Sequence, residues 1–154
     1  MRRFDKEIKD PAIIYEILHR SELCRIGLVD GDEAYIVPLN YGYADGVLYF
    51  HSAPNGRKIN LIRKNNNVTF EITLTSEILT GEKPCNWTTR YRSAMGTGTI
   101  EIYDDRESKI SGLDVIMKKY GAEGDLDYDE SLLERMVILK LHISSMNAKQ
   151  SGLW

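Results

Sequence analysis

Residues 51–58 read His-Ser-Ala-Pro-Asn-Gly-Arg-Lys, and here residue types and spacing first suggest chemistry. The segment leaves an apolar alternating run at 47–52, crosses turn residues 53–56, and opens a short helical pattern at 57–64 carrying Ile59 and Ile62. A helix start presents unpaired N–H groups and the positive end of the helix dipole, so it attracts anions before any side chain is counted. Gly56 lets the backbone approach a ligand closely. Arg57 and Lys58 put two cations in the first turn, where the dipole disfavours them, and a bound anion would compensate. Ser52 adds a hydroxyl donor. A solvated basic helix start fits the same residues.

Three further groups stand out. On a strand, Val47, Tyr49 and His51 share one face, and Leu48, Phe50 and Ser52 the other. His51 suits proton donation near neutral pH, or it caps a strand end against a backbone partner. Residues 36–43, Ile-Val-Pro-Leu-Asn-Tyr-Gly-Tyr, form a strand interrupted by proline. Pro38 cannot donate to a ladder, so this is an edge or a bulge. Its free backbone groups can face a planar heterocycle, with Asn40 at the rim, or simply face water. Residues 87–93, Trp-Thr-Thr-Arg-Tyr-Arg-Ser, offer Trp87 and Tyr91 for stacking and Arg90 and Arg92 for a phosphate or an acidic partner. The plainer reading is a solvated strand face with Trp87 in the core. His19 and His142 stand apart, and no metal-ligand or Ser-His-Asp spacing is present. Asp125, Asp127 and Asp129 alternate but lack the glycine and terminal glutamate of a calcium loop.

The elements that must position these groups are mostly strands. Asp10-Pro11 caps a helix over 11–20. Residues 23–30, 33–43 and 47–52 read as strands, with Asp45-Gly46 as a hairpin turn. A further strand covers 68–75, then a polar loop 76–84, then a long strand 87–103 in which Gly96 and Gly98 imply a bend or close backbone approach. Asp104 or Asp105 caps a helix to about Tyr120, with Ile110, Leu113, Ile116, Met117 and Tyr120 on its apolar face. Gly121 suits the position after it. Residues 131–135 suit one helical turn, and 137–144 close the β set before a tail. The expected fold is mainly β: about six antiparallel strands in a split barrel with peripheral helices.

The 154 residues suit one domain spanning 1–154. A net charge of −3 gives no global pull toward nucleic acid or an anionic membrane. The two cysteines, Cys24 and Cys85, show no ligand spacing, and Cys24 reads as a buried small hydrophobe. The charged start has no apolar core of a signal peptide, and no apolar run approaches the roughly 18 residues of a spanning helix, so a cytoplasmic location is expected.

Together, residues 24–28, 35–43, 48–53, 56–58 and 91–98 resemble, in order, the pyridoxamine 5′-phosphate oxidase-like split-barrel flavoproteins, and within them the nitroimidazole-resistance branch. The resemblance implies a homodimer with flavin, FMN or else FAD, at the subunit interface. It implies that Ser52, Arg57 and Lys58 hold the phosphate. The backbone of Val37, Pro38, Leu39, Asn40 and Tyr41 and the strand end Phe50, His51, Ser52 and Ala53 would lie against the flavin ring. His51 would be the active-site histidine, with Trp87, Tyr91 and Ser93 completing the site from the other subunit. The implied activity is flavin-dependent reduction of small planar or nitroaromatic compounds, with NAD(P)H as a transient donor since no dinucleotide-binding glycine motif is present. The alternatives are a non-enzymatic flavin-binding or storage protein and a haem-handling relative.

Overall fold

The computed structural model describes residues 3–152 and Trp154. Met1 and Arg2, part of the charged start, and Leu153, part of the tail, lie outside the described residues.

A two-residue strand β1 (Glu7–Ile8) precedes helix α1 (Pro11–Arg20). The Asp10 carboxylate caps α1 by accepting from the Ala12 N–H at 2.9 Å, and the helix buries Ile17 and Leu18. Strands β2 (Cys24–Asp30) and β3 (Glu33–Leu39) form a hairpin closed by the Asp30–Glu33 pair. Strands β4 (Gly42–Ala44) and β5 (Val47–Ser52) turn at Asp45 and Gly46, both at positive φ, 49° and 80°. Helix α2 (Arg57–Lys64) buries Ile59, Leu61 and Ile62. Each such side chain contributes about 1.5–3 kcal/mol, which holds a helix too short to persist alone.

Strands β6 (Asn67–Leu79) and β7 (Thr88–Tyr103) form the longest hairpin, and helix α3 (Arg106–Lys119) follows. Asp105 caps α3 by accepting from the Ser108 N–H at 2.8 Å. A single turn, α4 (Glu130–Leu133), leads into β8 (Val137–Ser151). The antiparallel order is β3-β2-β6-β7-β8-β5-β4, with β1 paired to β8. No hydrogen-bonded ladder closes the sheet between its outer strands β3 and β4, so the barrel is split. Pro38 lies in edge strand β3 opposite Arg25 of β2, and an edge is where a residue without an N–H is tolerated.

The mainly β, antiparallel expectation holds, with eight strands among the described residues in place of six: β1 is too short to show a period, and the single strand expected over 33–43 breaks at Asn40 and Tyr41 into β3 and β4. Two boundaries move. Residues 76–79, expected as loop, continue β6 by pairing with Thr88–Tyr91. The tail after residue 144 is strand to Ser151, paired to β7 from Tyr91 to Thr97. Both stretches are polar or half-wet, so their own pattern is weak, and the partner strand supplies the order. On α3, Leu113 and Ile116 are buried as expected, whereas Met117 and Tyr120 are largely exposed.

The main core joins α1, α2 and the inner sheet face, including Ile26, Leu48, Phe50, Ile100 and Leu139. Cys24 is fully buried there, and burial pushes its thiol up to about 12, so it acts as a small hydrophobe. A second cluster, with Leu113, Ile116, Leu133, Met136 and Ile138, seats α3 and α4 on the opposite face beside Tyr49. Val29, Ile36 and Met95 remain exposed on the outer sheet. Two grooves there, of about 590 and 540 Å³, are lined by residues such as Gly27, Ile36 and Thr69, and by none from 51–58. Among the described residues no helix is long and apolar enough to cross a membrane.

Candidate functional site

The site is built where β5 ends and α2 begins. Alternation along β5 sends Leu48, Phe50 and Ser52 inward and leaves His51 accessible on the other face, opposite Ile138 of β8. The Ser52 hydroxyl donates to the Ala53 carbonyl at 3.0 Å. Gly56 stands at the N-cap of α2 with φ 116°, a conformation L side chains rarely adopt, and it offers no capping side chain. The first helical bond runs from the Asn60 N–H to the Gly56 carbonyl, so no side-chain cap takes the N–H groups ahead of it.

The two cations of this turn are used differently. Arg57 folds back onto the β2–β3 hairpin. Its Nε lies 2.8 Å and its Nη2 2.7 Å from Asp30 Oδ2, and Glu33 is 3.6 Å from Nη2. Its guanidinium also sits 4.5 Å from the Tyr35 ring centroid. Lys58 is half-buried, and no carboxylate pairs with it among the described residues. Desolvation holds its pKa below the ordinary lysine value.

His51 carries the mark of this arrangement. Crowding around the ring, then the Lys58 cation, holds its pKa below the ordinary imidazole value. His19, on α1, is lowered by burial and by Lys119. An imidazole with a lowered native pKa refuses a proton that the unfolded chain accepts. Stability is therefore full above the unfolded value of 6.5 and declines as pH falls through it toward the lower native values. Water still reaches His51, so the effect is modest. The expected result is a lower urea midpoint at about pH 5.5 than at about pH 7.5, and a smaller gap in a His19→Gln, His51→Gln double variant. An unchanged gap in that variant rules out the two histidines as its source.

The segment joining β3 to β4 is fixed by the end of α3. The Tyr120 hydroxyl accepts from Asn40 Nδ2 and from the Tyr41 N–H, both at 3.2 Å, and donates to the Glu22 carbonyl at 2.5 Å. Lys119 donates to the Ser21 carbonyl and lies 4.1 Å from the Tyr41 ring centroid. Tyr41 and Phe50 are fully buried, so their side chains belong to the core and only their backbones can face a ligand. The Tyr41 hydroxyl donates to the Leu18 carbonyl at 2.7 Å.

A family model described as pyridoxamine 5′-phosphate oxidase matches residues 10–150. The chain belongs to the pyridoxamine 5′-phosphate oxidase family. Among solved structures, it is 31% identical to a Bacteroides thetaiotaomicron VPI-5482 protein provisionally described as a 5-nitroimidazole antibiotic resistance protein. That match covers 94% of this chain and 86% of the other, with a TM-score of 0.81. It agrees with the nitroimidazole-resistance branch read from the motifs. The fold is shared with the FAD and heme binding protein of Mycobacterium smegmatis, at 19% identity and TM-score 0.84, covering 97% and 75% of the two chains. It is shared also with the flavocytochrome Anf3 of Azotobacter vinelandii, at 17% identity and TM-score 0.83, covering 99% and 72%. No curated protein matches the chain.

Within this pyridoxamine 5′-phosphate oxidase family chain, the expected site residues fall into two groups. His51, Ser52, Ala53, Arg57 and Lys58 share one turn, and Arg57 ties it to Tyr35 on β3, two residues from Val37, with Pro38 and Leu39 beyond. Trp87, Tyr91 and Ser93 do not join them. Tyr103 is the β7 residue in register with Ile138, opposite His51, and Tyr91 lies twelve residues (103 − 91) further along β7, a strand path of roughly 40 Å. Trp87 is exposed at the tip of the β6–β7 hairpin, not in the core, and its Nε1 donates to the Gly81 carbonyl at 3.0 Å. Ser93 is buried within its own chain. In the sequence alone, Asp30, Glu33 and Lys119 carry no role at the site, Tyr120 stands only on the apolar face of α3, and Tyr35 belongs only to the stretch that carries the resemblance. Two carboxylates flanking the Gly31-Asp32 turn were the available signal for a cation partner.

Proposed function

We propose that this protein is a flavin-dependent oxidoreductase that binds FMN, or else FAD, and reduces small planar or nitroaromatic compounds of the 5-nitroimidazole kind. The observation that carries this reading is Lys58, a half-buried cation without a carboxylate partner among the described residues, beside the open start of α2. Buried charges are costly unless paired, and a phosphate dianion would pair this one. The open edge of β3 adds a row of free backbone donors and acceptors suited to the rim of a flavin ring. The residues present therefore fit the cofactor.

In this reading Ser52, Lys58 and the N–H groups of α2 hold the phosphate end. The backbone of Val37, Pro38 and Leu39 and the strand end through Ala53 border the ring. Flavin, when bound, supplies two-electron redox chemistry that no side chain of the protein offers. His51, neutral at physiological pH, orients the substrate and exchanges a proton at an imidazole nitrogen. NAD(P)H serves as a transient donor. The site works in a homodimer. Trp87 and Tyr91 lie at the far end of β7 from His51, too far to serve their own subunit's site, which supports their joining that of a second subunit, whereas Ser93 is buried within its own chain; the exposed Val29, Ile36 and Met95 supply apolar surface for pairing. The free Cys24 and Cys85 suit the reducing cytoplasm.

The purified protein is expected to be yellow and to release FMN on denaturation. NAD(P)H should bleach it without oxygen, and a nitroimidazole should restore the colour. Colour without bleaching would favour a flavin store. A haem Soret band would overturn the reading, in favour of the haem chemistry named for two proteins of the same fold.

A further inference from the structure

Arg57 sits at the start of a helix expected to take a phosphate, yet its guanidinium is spent elsewhere. Nε and Nη2 converge on Asp30 Oδ2 at 2.8 and 2.7 Å, Glu33 approaches to 3.6 Å, and the Tyr35 ring packs at 4.5 Å from the guanidinium carbon. The group formed by Arg57, Asp30 and Glu33 carries a net charge of −1 when ionised. A second anion approaching the guanidinium would meet two carboxylates already in place. One residue on, Lys58 has neither obstacle.

The tie also has a direction. Asp30 and Glu33 close the β2–β3 hairpin, and Tyr35 lies on β3 two residues before Val37. Arg57 is the first residue of α2, adjacent to Lys58 and one step after the Gly56 cap. One side chain therefore links the element that borders the ring to the element that holds the phosphate.

We propose that Arg57 is a positioning residue that straps the β2–β3 hairpin to the start of α2 and so sets the spacing between the ring side and the phosphate side of the site. This rests on the flavin reading above and assigns the phosphate charge to Lys58. Arg57 is 51% and Asp30 34% exposed, so the strap is wet, and its effect on affinity is modest.

The test compares Arg57→Gln, Asp30→Asn and their double variant with the wild type. Binding of FMN and of riboflavin, which lacks the phosphate, is measured by quenching of flavin fluorescence. Visible circular dichroism of bound FMN reports how the ring is seated. All three variants should weaken FMN and riboflavin by the same factor, roughly threefold to fivefold, and should alter the dichroism alike. The double variant should be no worse than either single one. Loss of the preference for FMN over riboflavin in Arg57→Gln but not in Asp30→Asn would overturn the proposal and make Arg57 a phosphate ligand. Unchanged affinities and dichroism in all three would reduce the pair to a surface contact. A wild type that binds neither flavin overturns the cofactor reading and the strap together, whereas a binding wild type with unaltered variants overturns the strap alone.

Discussion

Replacing Lys58 with alanine lowers FMN affinity about tenfold to a hundredfold and leaves riboflavin affinity near the wild-type value. A charge-assisted hydrogen bond to phosphate is worth about 1.5–3 kcal/mol, and Lys58 is the cation of the turn not neutralised by a carboxylate. Its lowered pKa reports desolvation in the free protein, a cost that a bound dianion offsets. Riboflavin shares the ring but not the phosphate, so the ratio of the two affinities isolates the contact. Isothermal titration with each flavin reads it directly. An equal loss of both would mean that Lys58 supports the fold or the ring, and the phosphate would have to be placed elsewhere. The variant should fold, because Lys58 is not part of either apolar cluster.

A Gly98→Ala variant lowers the thermal midpoint by roughly 6–12 °C, the shift expected for a loss of about 3 kcal/mol in a chain of this size. The reason is backbone crowding. A methyl group at this position would lie 2.2 Å from the His142 carbonyl oxygen and 2.8 Å from Leu141 Cδ2. The β7–β8 register shifts between Thr97 and Gly98, so β8 passes close over the strand at this irregularity. A carbonyl in a ladder cannot swing aside as a flexible side chain can. On its other edge β8 pairs with β5 and seats His51 against Ile138, so flavin affinity should fall with stability in this variant. A midpoint within about 2 °C of the wild type, followed by circular dichroism, would show that β8 yields without loss.

Much of the architecture is legible in the sequence because local signals agree. Asp10-Pro11 marked the start of α1, Asp45-Gly46 marked the β4–β5 turn, and the alternation of 47–52 separated His51 from its buried neighbours. Pro38 implies an edge or a bulge, and β3 is an edge. The distal ends of β6 and β8 were not legible. Thr75-Ser76-Glu77 and Ser144-Ser145 have no strong preference of their own, and cross-strand pairing decides their state.

The His51–Lys58 turn divides in the same way. Sequence alone determined that a basic helix start follows a strand in which His51 faces away from Phe50 and Ser52, because both features follow from spacing along a few residues. Only the tertiary structure decided which cation is free. Asp30 and Glu33 lie more than twenty residues from Arg57 in the chain, and the β2–β3 hairpin must fold against α2 before they can claim its guanidinium. Likewise Tyr120 reaches Asn40 and Tyr41 only after α3 has docked on its apolar face. Spacing fixes which groups a short segment offers, and long-range packing fixes which of them remain unpaired and therefore able to bind.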